Sequence, residues 1–157
     1  MFSLPQLDYS QRESFYDDLR LAAMGLVAGE KQLIANCANL SALIYHSLPD
    51  VNWAGFYLMD DGELVVGPFQ GKPACVRIRL GEGVCGTAAE RRESLVVDDV
   101  DAFPGHIACD SASQSEIVIP LVRDGRLLGV LDIDSPHRAR FDEQDRQGLE
   151  ALITVLD

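Results

Sequence analysis

The sequence predicts an α+β domain: an antiparallel sheet covered by helices on one side. Three observations lead there. Helical periodicity is confined to the two ends of the chain and one short insert. The middle alternates with a period of two. Asp61-Gly62 and Asp124-Gly125 join successive strands as hairpins rather than through crossover helices. The 157 residues suffice for one domain around one core, and no repeat, linker or low-complexity segment divides them.

Ser10 to Val27 carries Phe15, Leu19, Ala22, Ala23 and Leu26 at helical spacing, with Gly25 and Gly29 breaking it. A second helix is expected from about Glu30 to His46, with Leu33, Cys37, Leu40 and Ile44 on one face. Cys37 within that stripe reads as a small buried hydrophobe. Past Pro49-Asp50, Val51 to Met59 reads as a strand. Val51, Trp53, Gly55 and Tyr57 take one face, and Asn52, Ala54, Phe56 and Leu58 the other. The hairpin partner is expected at Glu63 to Gly67, followed by a loop to Pro73 and a half-buried strand from Cys75 to Leu80.

Gly81 to Gly86 is a glycine-rich turn into a short helix, Thr87 to Arg92. It contains Gly-x-Gly-x-x-Gly, but no long parallel strand precedes it and no βαβ unit follows, so it is a poor dinucleotide fingerprint. Leu95 to Val97 is a short strand. Ile117 to Val122 and Arg126 to Asp134 form the last hairpin, and Asp142 caps a helix running to about Leu156.

The formal charge of −12, with no Lys/Arg cluster, argues against a nucleic-acid partner and against an anionic membrane surface. No basic, apolar leader is visible at Met1 to Ser10, and no apolar run approaches the roughly 18 residues of a membrane span. A cytoplasmic location is therefore expected. Thiols are held reduced there, so the four cysteines are core residues, metal ligands or redox groups rather than a disulfide framework.

Asp98 to Glu116 is rich in Gly, Pro, Ser and Asp and longer than structureless connections usually are, with Cys109 in its middle. In the last strand, alternation puts Leu128, Val130, Asp132 and Asp134 on one face, the two carboxylates about 6–7 Å apart. Glu116 opens the partner strand and should lie beside them. Three clustered acids raise one another's affinity for protons; such a group can hold a cation or keep one carboxyl protonated near neutral pH.

Cys75, Cys85 and Cys109 admit three explanations: a zinc site with His106, a Cys109/His106 nucleophile pair, or a dithiol couple. The wide spacings and the lack of Cys-x-x-Cys count against zinc. Spacing does not choose the attacking sulfur, and Cys85, near a helix N-terminus, has the better local reason for a low pKa.

Several stretches resemble a stand-alone GAF domain and, more closely, the free methionine-(R)-sulfoxide reductase family. They are Val51 to Leu58, Gly67 to Cys75, Gly81 to Ala88, Phe103 to Leu121 and Gly129 to Ser135. The resemblance implies a GAF-like sheet of about six strands. It implies thioredoxin-dependent reduction of free methionine (R)-sulfoxide without metal or organic cofactor, in a homodimer. By position it implies Cys109 as nucleophile, Cys75 as resolving partner and Cys85 as an auxiliary cysteine. Trp53, Glu116, Asp132 and Asp134 match the substrate site, with Tyr57 lining it and Glu116 or Asp134 as general acid. Cys75 and Cys109 should then approach to a Cα separation of about 4.4–6.8 Å when oxidised. The competing expectations are a non-catalytic GAF sensor of a small ligand, such as a nucleotide, and a bare redox-sensing domain.

Overall fold

The structure is a computed structural model that describes residues 1–157. Helices α1 (Arg12–Val27) and α2 (Leu33–Ser47) lead into strands β1 (Trp53–Asp60), β2 (Glu63–Gly71) and β3 (Arg77–Arg79). Helix α3 (Gly83–Arg91) and strand β4 (Leu95–Val97) follow, then β5 (Ser115–Arg123), β6 (Arg126–Ser135) and α4 (Glu143–Ile153). The six strands form one antiparallel sheet in the order β3-β2-β1-β6-β5-β4. The expected α+β arrangement holds, with α1, α2 and α4 on one face.

That face is the main core. Ala54, Phe56, Ile117, Ile119, Leu131 and Ile133 meet Phe15, Leu19, Leu40, Ile44, Leu149 and Leu152, all buried. The opposite face is covered by α3 and the loop before β5, with Tyr57, Ile78, Val84, Ala88, Val118 and Val130 packed between. Within β1, which begins at Trp53, alternation comes out as read, with Trp53 and Tyr57 on the second face and Ala54 and Phe56 on the first. Before it, Val51 packs with the first-face core and Asn52 reaches the Cys109 loop, the reverse of the expected faces. Asp124 (φ 51°) and Gly125 (φ 74°) turn the β5–β6 hairpin with two positive φ values, the geometry Asp-Gly favours.

Several expectations are corrected. Gly25 lies inside α1 and does not break it; the helix ends at Val27. β2 runs on to Gly71, because Gln70 and Gly71 keep pairing with Ala54 and Trp53 across a bulge. β3 is only Arg77–Arg79, so Cys75 lies in the connection before it. α3 begins at Gly83, and Gly86 packs so closely on the Arg79 carbonyl that a side chain there would clash. Gly86 thus serves the packing of α3 on β3. Leu128 faces the helices rather than the acids, since Leu127 pairs with Val122 while Gly129 pairs with Leu121. The extra residue is a β-bulge, which reverses the alternation before it. A Cβ at Gly129 would collide with the Tyr57 carbonyl, so only glycine lets β1 and β6 close there.

The ends of the chain are tied together by Asp145, which is fully buried. It accepts hydrogen bonds from the Tyr9 hydroxyl (2.7 Å), the Tyr16 hydroxyl (2.6 Å) and Arg12 (2.9 Å), with Arg140 at 3.4 Å. It also completes a capping box with Asp142 at the start of α4.

Candidate active site

The second face of the sheet carries a row of acids. β1 pairs with β6 so that Trp53 lies opposite Asp134 and Gly55 opposite Asp132; β5 pairs with β6 so that Glu116 lies opposite Asp134. Directly paired residues share a face, so Trp53, Asp134 and Glu116 stand side by side with Asp132 one step along. Gly55 adds no side chain to the row, and the space over it is filled by Phe69. Above the row sit the first turn of α3, with Val84 and Cys85, and the segment from His106 to Ser113. Together they enclose a cleft of about 530 Å³, open solvent at its mouth included.

Cys75 and Cys109 are joined in a disulfide at the rim, with a Cα separation of 5.6 Å, inside the expected range. Cys109 lines the same cleft as Glu116, Asp132 and Asp134. The loop carrying it is pinned at its ends, Val100 N–H donating to the Gln114 carbonyl and Gln114 N–H to the Ser135 carbonyl. Asn52 Nδ2 holds its middle, donating to Asp110 Oδ2 (3.3 Å) and Ser113 Oγ (3.2 Å).

Trp53 is buried as the apolar wall. Its ring stacks on Phe69 at 5.1 Å and Tyr57 at 5.8 Å, and its indole N–H donates to the Lys72 carbonyl. Tyr57 lines the cleft too, its hydroxyl donating to the Cys75 carbonyl at 3.2 Å. An aromatic at the acid row is thus bonded directly to the backbone of a disulfide cysteine.

Desolvation governs the acids. Burial, then the charge on Asp134, lifts Glu116 to about 8. Burial and the neighbouring Glu116 hold Asp132 well above the usual carboxylate range; burial and Asp132 do the same for Asp134. The expectation of mutually raised proton affinities is met. The expectation of a low pKa for Cys85 is not. Its thiol is buried against Asp132 and Glu116, and burial followed by those charges pushes it well up, overriding the helix N-terminus. Its Sγ lies 3.7 Å from Glu116 Oε1.

His106 turns toward Glu116 rather than serving Cys109 as a base, with Nε2 3.7 Å from Glu116 Oε2. Burial lowers its pKa and favours the neutral ring. The disulfide removes Cys75 and Cys109 from the zinc set suggested with Cys85 and His106. Sequence reasoning missed Asp110, Ser113 and the apolar residues Ile78 and Ile107 in the lining, and Asn52, which holds the loop behind it. Asp110 adjoins Cys109 and could have been suspected; Asn52 had no local signal beyond its place beside Trp53.

A GAF-domain profile matches residues 38–156. The free methionine-R-sulfoxide reductase of Escherichia coli (strain K12) is 54% identical over 146 residues, 93% of this chain and 88% of that protein. The chain belongs to the free methionine-R-sulfoxide reductase family of GAF domains. The free methionine-R-sulfoxide reductase of Neisseria meningitidis, solved in complex with its substrate, superposes with a TM-score of 0.94 at 46% identity, covering 99% of this chain and 93% of that one. A Burkholderia vietnamiensis GAF protein, provisionally assigned as a sensor, is 64% identical with a TM-score of 0.89 over 92% of both chains. The disulfide-rimmed cleft with its acid floor is the candidate active site of this reductase-family domain. No helix is long and apolar enough to cross a membrane.

Proposed function

We propose that the protein reduces the R epimer of free methionine sulfoxide to methionine at the cleft under Cys109. One observation carries this: a disulfide cysteine lines the same small cleft as three acids of raised proton affinity and an aromatic wall. A sulfoxide sulfur is a poor electrophile until its oxygen is protonated. A carboxyl that stays protonated near neutral pH can give that proton as general acid, and Glu116 is our assignment. In the reduced enzyme the Cys109 thiolate attacks the sulfoxide sulfur. The S–O bond is lost from the substrate, methionine leaves, and Cys109 carries the oxygen as a sulfenic acid. The Cys75 thiol condenses with it, expelling water and forming the Cys75–Cys109 disulfide, whose Cα geometry the fold already accommodates.

Asp132 and Asp134 receive the ammonium group of a free amino acid, whose positive charge favours release of the protons that burial holds on them. A methionine within a polypeptide has no such ammonium, which accounts for discrimination against protein-bound substrate. Trp53 packs against the S-methyl group, and Tyr57 positions the Cys75 backbone as well as lining the pocket. Cys85, buried against Glu116, is an auxiliary proton partner rather than an attacking sulfur. This reading brings with it thioredoxin as reductant, a cytoplasmic location and a homodimer.

The test is turnover of the separate epimers with thioredoxin, thioredoxin reductase and NADPH. Turnover confined to the R epimer and abolished by Cys109→Ser is expected. Equal use of both epimers, or turnover surviving that substitution, would overturn the reading. Micromolar binding of cyclic nucleotides without reductase activity would instead establish a sensor, an outcome opposed by the acidic floor, which repels phosphate.

A further inference from the structure

The floor of the cleft is also arranged as a metal-binding site. Cys85 Sγ and one carboxylate oxygen each from Glu116 and Asp132 lie within 4.8 Å of one another. All three residues are buried, Glu116 and Asp132 being 6% and 5% exposed. Asp132 Oδ1 has no hydrogen-bond partner although it is shut away from solvent, and a buried oxygen left so is destabilising. No Lys or Arg pairs with either acid; the one ion-pair contact is His106. That ring, carried on the Cys109 loop, has its Nε2 3.7 Å from Glu116 Oε2.

We infer that Cys85, Glu116 and Asp132 form a three-donor site for a divalent cation of the zinc class, with the fourth position left to solvent. The distances carry the argument. Bonds of about 2.0–2.3 Å from a tetrahedral zinc put neighbouring donor atoms about 3.3–3.8 Å apart. Cys85 Sγ and Glu116 Oε1 are 3.7 Å apart, at that edge length, and the Asp132 oxygen lies within 4.8 Å of both. His106 Nε2 approaches the other Glu116 oxygen and stands outside this donor set. A donor set of one sulfur and two carboxylate oxygens suits zinc better than the harder magnesium or calcium. The net charge of −12 raises the local concentration of cations around the molecule.

The site exists with the disulfide closed, so it does not draw on Cys75 or Cys109. A cation there occupies the ground where the substrate's ammonium and sulfoxide oxygen would meet the acids. Zinc is therefore a competitive inhibitor; this consequence rests on the proposed function, whereas the binding itself does not.

The test uses the oxidised full-length protein, free of chelator, titrated with cobalt(II). A near-ultraviolet thiolate-to-cobalt charge-transfer band is expected, saturating at one ion per chain and bleached by zinc. Absence of the band overturns the proposal. Cys85→Ser should abolish the band; its persistence, with Cys37 as the remaining thiol, would also overturn it. Asp132→Asn keeps the side-chain shape and covers the case in which the serine variant does not fold. It should weaken zinc binding at least about tenfold by calorimetry, and unchanged affinity refutes the site. Zinc should raise the apparent KM for sulfoxide and leave kcat unchanged; an unaltered KM overturns the competition. A cobalt band in a protein that turns over neither epimer would support the site and overturn the reductase reading, so the two fail separately.

Discussion

Replacing Glu116 by Gln should make the protein more stable while it loses activity, and the gain should depend on pH. In the folded chain Glu116 holds its proton up to about 8, against an ordinary value of 4.5, because burial and then Asp134 oppose its charge. Between those two values the folded state keeps a proton that the unfolded chain has released. Stability is therefore complete below the ordinary value and falls as pH rises through the interval. Each pH unit is worth about 1.4 kcal/mol, so the loss attributable to this carboxyl reaches about 4–5 kcal/mol near pH 8. Gln has nearly the same shape and no proton to lose. The two proteins should have similar stability near pH 5 and diverge by several kcal/mol, Gln above Glu, near pH 8. Urea unfolding of both, disulfide intact, measures this. Glu116 also raises Asp132, so the difference between the two curves reports residue 116 together with its effect on that neighbour. A difference that stays flat from about pH 5 to about pH 8 would refute the claim that Glu116 is kept protonated by desolvation. The kinetic counterpart is turnover that falls as pH rises through about 8 in the wild type, and a loss of about 10²–10⁴ in kcat in Glu116→Gln.

Asp145→Ala strands Arg140 and Arg12, which now bond to it, and should destabilise the fold by about 3–5 kcal/mol; a urea midpoint within error of wild type counts against the buried network. Gly129→Ala drives a methyl group into the Tyr57 carbonyl where β1 meets β6, and should cost about 1–3 kcal/mol; unchanged thermal stability would show that the bulge has slack. Asn52→Ala frees Asp110 and Ser113, so amide exchange should rise across residues 109–113 and dithiothreitol should reduce the disulfide faster; unaltered exchange would mean that the loop is held by its ends alone. Trp53→Ala removes the apolar wall and should raise KM for sulfoxide severalfold, with a smaller effect on kcat; an unchanged KM would exclude the ring from substrate contact.

Local chemistry made much of the fold legible. The hairpin at Asp124-Gly125 followed from two residues tolerant of positive φ. The α4 start followed from Asp142, whose side chain accepts from the Asp145 amide as a cap should. The faces of β1 followed from strict alternation. Where reading failed, one extra residue or a distant neighbour had intervened. The bulge before Gly129 exchanges Leu127 for Leu128, and since both are leucine no change of pattern marks it. Gly25 looked like a helix stop, yet nothing crowds it and α1 runs through it.

By itself, the sequence determined which segments are helix or strand, that successive strands pair as antiparallel hairpins, and that Asp132 and Asp134 share a face with Glu116 opposite. Those are consequences of backbone sterics and of periods of two and 3.6 residues, which act over short distances. Only the tertiary structure decided that Cys75 meets Cys109, 34 residues apart, while Cys85 is sealed against the acids. Only it decided that His106 turns to Glu116 and that Asn52 restrains the loop. The affinity of a carboxyl or thiol for its proton depends on how much water the rest of the molecule removes from around it, and that quantity belongs to no stretch of chain taken alone.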